Sequence, residues 1–110
     1  MGKFVRGQVV ILPFPFADLS DTKRRPAFVV ASLAGDDRIV CQITTVQRAD
    51  SYAVSLNADD FVTGSLPHPS IIRPNRLFTA DGKLILRTAG MLTDAKISEV
   101  TEKIVAIVTA

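Results

Sequence analysis

Gly7-Gln8-Val9-Val10-Ile11-Leu12-Pro13-Phe14-Pro15-Phe16, followed by Lys23-Arg24-Arg25-Pro26-Ala27-Phe28-Val29-Val30, decides how this chain is read. Four consecutive apolar residues, 9–12, predict a strand over 8–12 buried on both faces or wrapped into a small barrel. Pro13 and Pro15 argue against continued pairing in the middle of a sheet. A loop over 13–25 is therefore expected, with Asp18, Ser20, Asp21 and Thr22 as turn formers. A second strand is expected over 27–32. Lys23, Arg24 and Arg25 would then gather positive charge at a strand rim, a natural seat for a phosphodiester.

Downstream, Gly35-Asp36-Asp37 reads as a turn and 38–45 as a third strand. Ile39, Cys41 and Ile43 point one way and Val40, Gln42 and Thr44 the other. A short strand is expected over 52–56, irregular chain over 57–69, and strands over 70–73, 76–80 and 83–87. The last two flank Asp81-Gly82, a favoured two-residue hairpin turn. Ile97, Val100, Ile104 and Ile107 repeat at helical spacing, which predicts a helix over 94–108. Thr93 is its N-cap, Leu92 and Ile97 form a hydrophobic staple, and Glu99 pairs with Lys103. Many short strands and one terminal helix give a mainly β fold, as an SH3-like barrel, an OB-like barrel or an α+β sandwich.

The 110 residues make one domain, 1–110, with a single modest core. A 47% hydrophobic content argues against disorder. No apolar run approaches the ~20 residues of a membrane helix, and no signal-peptide pattern opens the chain, so a cytoplasmic protein is expected. The single cysteine, Cys41, permits no intrachain disulfide and no thiolate metal cluster, and reads as a buried thiol. The net charge of +2 is mildly basic, and the cations cluster at 23–25 and again at Arg73, Arg76 and Arg87.

Four segments in order carry a resemblance to the MazF/PemK toxin family. They are Gly7 to Phe16, Arg24-Arg25-Pro26-Ala27-Phe28-Val29-Val30, Cys41-Gln42-Ile43-Thr44-Thr45, and Arg73-Pro74-Asn75-Arg76-Leu77-Phe78-Thr79 leading to Gly90-Met91-Leu92. The resemblance implies an SH3-like barrel of the CcdB/PemK type with a C-terminal helix, acting as a homodimer. It implies a metal-independent endoribonuclease that cuts single-stranded RNA, often sequence-selectively, and an antitoxin that blocks the RNA groove. Carried over by residue, Arg25 acts on the scissile phosphate and in proton transfer. Thr44 orients the same phosphate. Arg73 matches the Arg of the Arg-x-Asp unit of the PemK branch, whose Asp position here holds Asn75. Gln8 stands where many members have Asp. The same fold also occurs in CcdB, which poisons DNA gyrase by binding. A gyrase poison and a degenerate RNA-binding module are thus the competing readings.

The side-chain inventory bears on the mechanism. Metal-free cleavage uses the 2′-OH as nucleophile, and needs charge stabilisation at phosphorus and a proton for the leaving 5′ oxygen. His68 is the only histidine, so a two-histidine mechanism is excluded, and the acids show no metal-binding spacing. Guanidinium and hydroxyl groups remain. The planar fork of arginine matches a phosphoryl group, but its permanent charge makes it a poor base. Arg25 is accordingly read as clamp and acid. Lys23 and Arg24 are candidates for RNA-backbone contacts, and Gln47 and Arg48, just after the third strand, for contacts to bases or phosphates. Phe14 and Phe16 are read as packing residues, with base stacking as the alternative. No cofactor is expected.

Overall fold

The computed structural model describes residues 4–15, 22–46 and 49–110, with side chains described for all of these but 14, 15 and 22. Its elements are β1 (Gln8–Pro15), β2 (Thr22–Ser32), β3 (Asp37–Thr44), β4 (Val54–Leu56), β5 (Phe61–Gly64), β6 (Ser70–Asp81), β7 (Arg87–Leu92) and α1 (Asp94–Val108). The seven strands form one antiparallel sheet in the order β4-β6-β3-β2-β1-β7-β5, curved into a half-barrel with the helix at the C-terminus.

Alternation sorts the apolar residues onto two faces. Val9, Phe28, Cys41, Ile43, Ile72 and Leu92 pack with Ile97 and Val100 of α1. Their chain neighbours Val10, Ala27, Val29 and Val40 pack on the opposite face with Leu12, Ala80 and Ile85. Burial on both faces is what the apolar run at 9–12 demands, and each large side chain so buried contributes about 1.5–3 kcal/mol. Cys41 lies in the first cluster, and burial pushes its thiol up to about 12. No helix among the described residues is long and apolar enough to cross a membrane.

The two prolines do not end β1, which pairs with β2 as far as Pro15 opposite Thr22. The Ile11 carbonyl accepts from Leu86 N on the β7 side, so the nitrogens of residues 13 and 15 face that side too, away from β2. The β7 pairing stops at Ile11, so β1 is an edge there and lacks nothing by lacking two donors. As a result β2 begins at Thr22, and Lys23, Arg24 and Arg25 lie within a strand rather than at the end of a long loop.

The hairpin expected at Asp81-Gly82 does not form. Residues Gly82–Leu84 make a single 3-10 turn capped by the Asp81 carboxylate, which accepts from Lys83 N at 2.9 Å. The two strands then part, β6 to β3 and β4, β7 to β1 and β5. The stretch expected to be irregular contains a 3-10 turn at Ala58–Asp60 and strand β5. At Gly64 (φ 73°), a Cβ would lie 2.0 Å from the Ala89 carbonyl oxygen, so only glycine lets β5 lie against β7 here.

The helix cap is as expected, with Thr93 Oγ1 accepting from Lys96 N at 3.2 Å. Glu99, however, pairs with Lys96 at 2.8 Å, one turn back, rather than with Lys103. Buried Lys96 also donates to the Ser55 carbonyl at 2.9 Å and lies 3.7 Å from Asp60, tying the helix to β4 and the turn before β5.

Candidate functional site

Strand alternation separates the basic residues of β2. Leu12 lies opposite Arg25, and Ala27 opposite Gln42. Arg25 thus shares a face with Ala27, Gln42 and, one step further along β3, Thr44. On the far side of β3, Gln42 lies opposite Arg73 and Thr44 opposite Ile71. Strands β2, β3 and β6 therefore bring Arg25, Gln42, Thr44 and Arg73 onto one face.

A bulge makes this possible. The β3–β6 register jumps from Cys41↔Leu77 to Gln42↔Arg73, so three residues of β6, Pro74, Asn75 and Arg76, have no partner on β3. A proline has no ladder donor to offer, and it sits where none is required. Arg73 and Arg76 therefore do not continue one regular strand face. Asn75 and Arg76 are exposed on the bulge.

Thr44 is 6% exposed, and its Oγ1 accepts from Val46 N at 3.1 Å, which turns the chain out of β3. The hydroxyl proton remains to donate. Arg25 is half-buried. The Nε of Arg73 donates to Asp50 Oδ2 at 3.1 Å, and the two side chains are only 12% and 7% exposed. The other oxygen of Asp50 accepts from Tyr52 N at 2.9 Å, and the Asp50 carbonyl accepts from Ala53 N at 3.1 Å, which closes a turn. Gln42 Oε1 is fully buried, with no hydrogen-bond partner among the described residues. A buried acceptor in that state costs about 1–3 kcal/mol.

Sequence reasoning placed Arg25, Thr44 and Arg73 in the site, and the fold puts them on one face. It missed Asp50, because nothing in the local pattern joins a loop aspartate to an arginine 23 residues on. Gln42 could have been found from the alternation of β3, which sets it beside Thr44. Arg24 points to the other face. With Ile11, Pro26, Thr45, Leu66, His68 and Arg87 it lines a separate hollow of about 400 Å³. Lys23 is exposed. Gln47, Arg48 and the Phe16 ring lie outside the described residues, as does the side chain of Phe14. Among the described residues no three of His, Cys, Asp and Glu are grouped to hold a metal ion.

The fold is a small antiparallel half-barrel with a C-terminal helix. Residues 5–108 match the profile of the PemK-like, MazF-like toxins of type II toxin–antitoxin systems, and the chain belongs to that family. No curated protein matches it in sequence. Among solved structures, it is similar to MazF from Deinococcus radiodurans, with 19% identity, a TM-score of 0.77 and 97% of each chain covered. It is likewise similar to an endoribonuclease in complex with its cognate antitoxin from a mycobacterial species, with 15% identity, a TM-score of 0.77, and 96% of this chain and 95% of that one covered. Mycobacterium tuberculosis toxin MazF-mt6 is a third, with 19% identity, a TM-score of 0.73, and 93% and 96% covered.

Proposed function

We propose that this toxin-family protein is a metal-independent, sequence-selective endoribonuclease that cuts single-stranded RNA, mRNA included. The observation that carries the reading is the shared face of Arg25, Thr44 and Arg73, two guanidiniums and a hydroxyl donor with the chemistry of a phosphate clamp. The scissile phosphate sits against this face. The 2′-OH of the preceding ribose releases its proton to water, its oxygen attacks phosphorus, the P–O5′ bond breaks, and a 2′,3′-cyclic phosphate and a 5′-OH result, with solvent returning to Arg25 the proton it gives up. Arg25 bears the charge that builds on the non-bridging oxygens and supplies a proton toward the departing 5′ oxygen. Thr44 donates its hydroxyl to the same phosphate, and Arg73 holds a second oxygen. Lys23, which alternation puts on the face of Arg25, contacts the flanking chain together with Gln47 and Arg48, whereas Arg24, expected to join them, lies on the opposite face.

The natural partners are RNA, a cognate antitoxin and a second copy of the chain, in the cytoplasm. Support for the antitoxin comes from family membership and from similarity to MazE–MazF structures of Deinococcus radiodurans. Exposed Leu84 and Leu86 offer apolar surface to a second copy. The function is tested by incubating purified, antitoxin-free protein with a long unstructured RNA in EDTA, beside Arg25→Ala. Discrete cuts that the substitution abolishes support it. Intact RNA with wild-type protein, under conditions where an active homologue cuts, overturns it, and gyrase supercoiling is assayed next.

A further inference from the structure

The family pattern leaves this chain with Asn75 where a carboxylate is expected, and the bulge carries Asn75 into solvent. A carboxylate nevertheless reaches the arginine from elsewhere. Asp50, from the loop between β3 and β4, binds Arg73 Nε through Oδ2 and takes the Tyr52 amide on Oδ1. We propose that Asp50 is a positioning residue that holds Arg73 by its Nε edge and so presents the terminal nitrogens of the guanidinium to a substrate phosphate. The proposal rests on the nuclease reading in taking that phosphate to belong to RNA.

Three observations carry it. First, the grip is on Nε alone, and no hydrogen bond joins either terminal nitrogen of Arg73 to another described residue. A guanidinium has five N–H donors in a rigid plane, so fixing one edge sets the direction of the rest. Second, Asp50 is itself held, by the Tyr52 amide and by the turn its carbonyl closes on Ala53. Third, the pair lies beside Gln42 and on the face of Thr44 and Arg25, so what Asp50 orients is part of the site.

The same facts argue against Asp50 as the general base. Its side chain is 7% exposed. Both oxygens already accept hydrogen bonds, one from the Tyr52 amide and one from the Arg73 guanidinium.

A mutant cycle tests the proposal. Asp50→Asn, Arg73→Ala and the double variant are compared in single-turnover cleavage of an RNA oligonucleotide. Their affinities are measured on the same oligonucleotide with a 2′-deoxy sugar at the cut, which binds but cannot react. Thermal melting reports the fold of each variant. A guanidinium displaced by an ångström commonly costs about a hundredfold in rate. Asp50→Asn is expected to lose 10- to 100-fold in cleavage, Arg73→Ala at least as much, and the double variant no more than Arg73→Ala. A double variant whose loss equals the product of the two singles would show Asp50 acting on its own and overturn the proposal, as would a folded Asp50→Asn with wild-type rate. Should Asp50→Asn fail to fold, Arg73→Lys replaces it, keeping the ion pair but losing the fork. It should fold and lose at least tenfold in cleavage, and wild-type cleavage would refute the proposal. If the wild-type protein cuts no RNA, the nuclease reading fails separately. Binding to the intact oligonucleotide then decides: weakening by Asp50→Asn equal to that of Arg73→Ala supports positioning, and unchanged affinity overturns it.

Discussion

Replacing Gln42 by leucine should make this protein more stable and a poorer binder of RNA. Gln42 Oε1 is sealed from solvent and accepts no hydrogen bond from any described residue, so the native state carries the desolvation cost of a carbonyl, about 1–3 kcal/mol. Leucine has nearly the same volume and no polar atom to strand. Part of the gain is lost to imperfect packing, which for a volume-conserving exchange is usually under 1.5 kcal/mol. The net expectation is a stabilisation of about 0.5–1.5 kcal/mol. For a domain of this size that raises Tm by about 2–10 °C, since 1 kcal/mol corresponds to about 4–8 °C at 60–100 residues. Urea unfolding should show the midpoint moving up with an unchanged slope. The amide shares its face with Arg25, Thr44 and Arg73, so the substitution should also weaken binding to an uncleavable RNA several-fold. A leucine variant less stable than wild type by 0.5 kcal/mol or more would refute the reasoning. It would mean that the amide contributes to stability in a way its geometry does not show.

Burial raises the Cys41 thiol to about 12, against 9.0 for the unperturbed group. The folded state therefore holds its proton at pH values where the unfolded chain has released it. This contribution is fully present below pH 9, and is lost as pH rises through the window from 9 to 12, at up to about 1.4 kcal/mol per pH unit. Cys41→Ser or Cys41→Val should remove that part of the alkaline slope in denaturant titrations at pH 8–11. In the native protein the thiol should also resist alkylation at pH 8 until urea unfolds the chain. Lys96→Ala should cost about 1.5–3 kcal/mol in chemical denaturation, the range for hydrogen bonds to a charged group, because it removes the bonds to Glu99 and to the Ser55 carbonyl that tie α1 to β4. Lys96→Met, which keeps the stem, should cost clearly less.

The span and cap of the helix were legible because their signals are local: a cap at Thr93, an apolar repeat, and a staple between Leu92 and Ile97; the partner of Glu99 was not, since Lys96 is drawn to it by the fold. Burial of β1 on both faces was legible from its unbroken apolar run. What failed depended on neighbours. Pro13 and Pro15 look like breakers, and they are tolerated because β7 has left that side of β1, a fact of topology. Asp81-Gly82 has the composition of a hairpin turn, but the flanking strands belong to opposite sides of the sheet. In the site, alternation along β3 correctly set Thr44 on the more polar face. Three adjacent cations looked like one patch, yet a strand sends Arg24 and Arg25 to opposite faces. The Asp50–Arg73 pair depends on a long-range fold contact and a three-residue bulge, neither of which has a local signature.

The proposed activity is metal-free cleavage of RNA at the face built by Arg25, Thr44 and Arg73. Its most direct measurement is the pattern of ends produced when antitoxin-free protein meets a long unstructured RNA in EDTA, with Arg25→Ala and Thr44→Val alongside. Discrete cuts leaving 2′,3′-cyclic phosphate and 5′-hydroxyl ends are expected, reduced at least a hundredfold by Arg25→Ala and about tenfold or more by Thr44→Val, as removal of one transition-state donor commonly does. Cleavage that EDTA abolishes, or that survives Arg25→Ala undiminished in a folded protein, would contradict it.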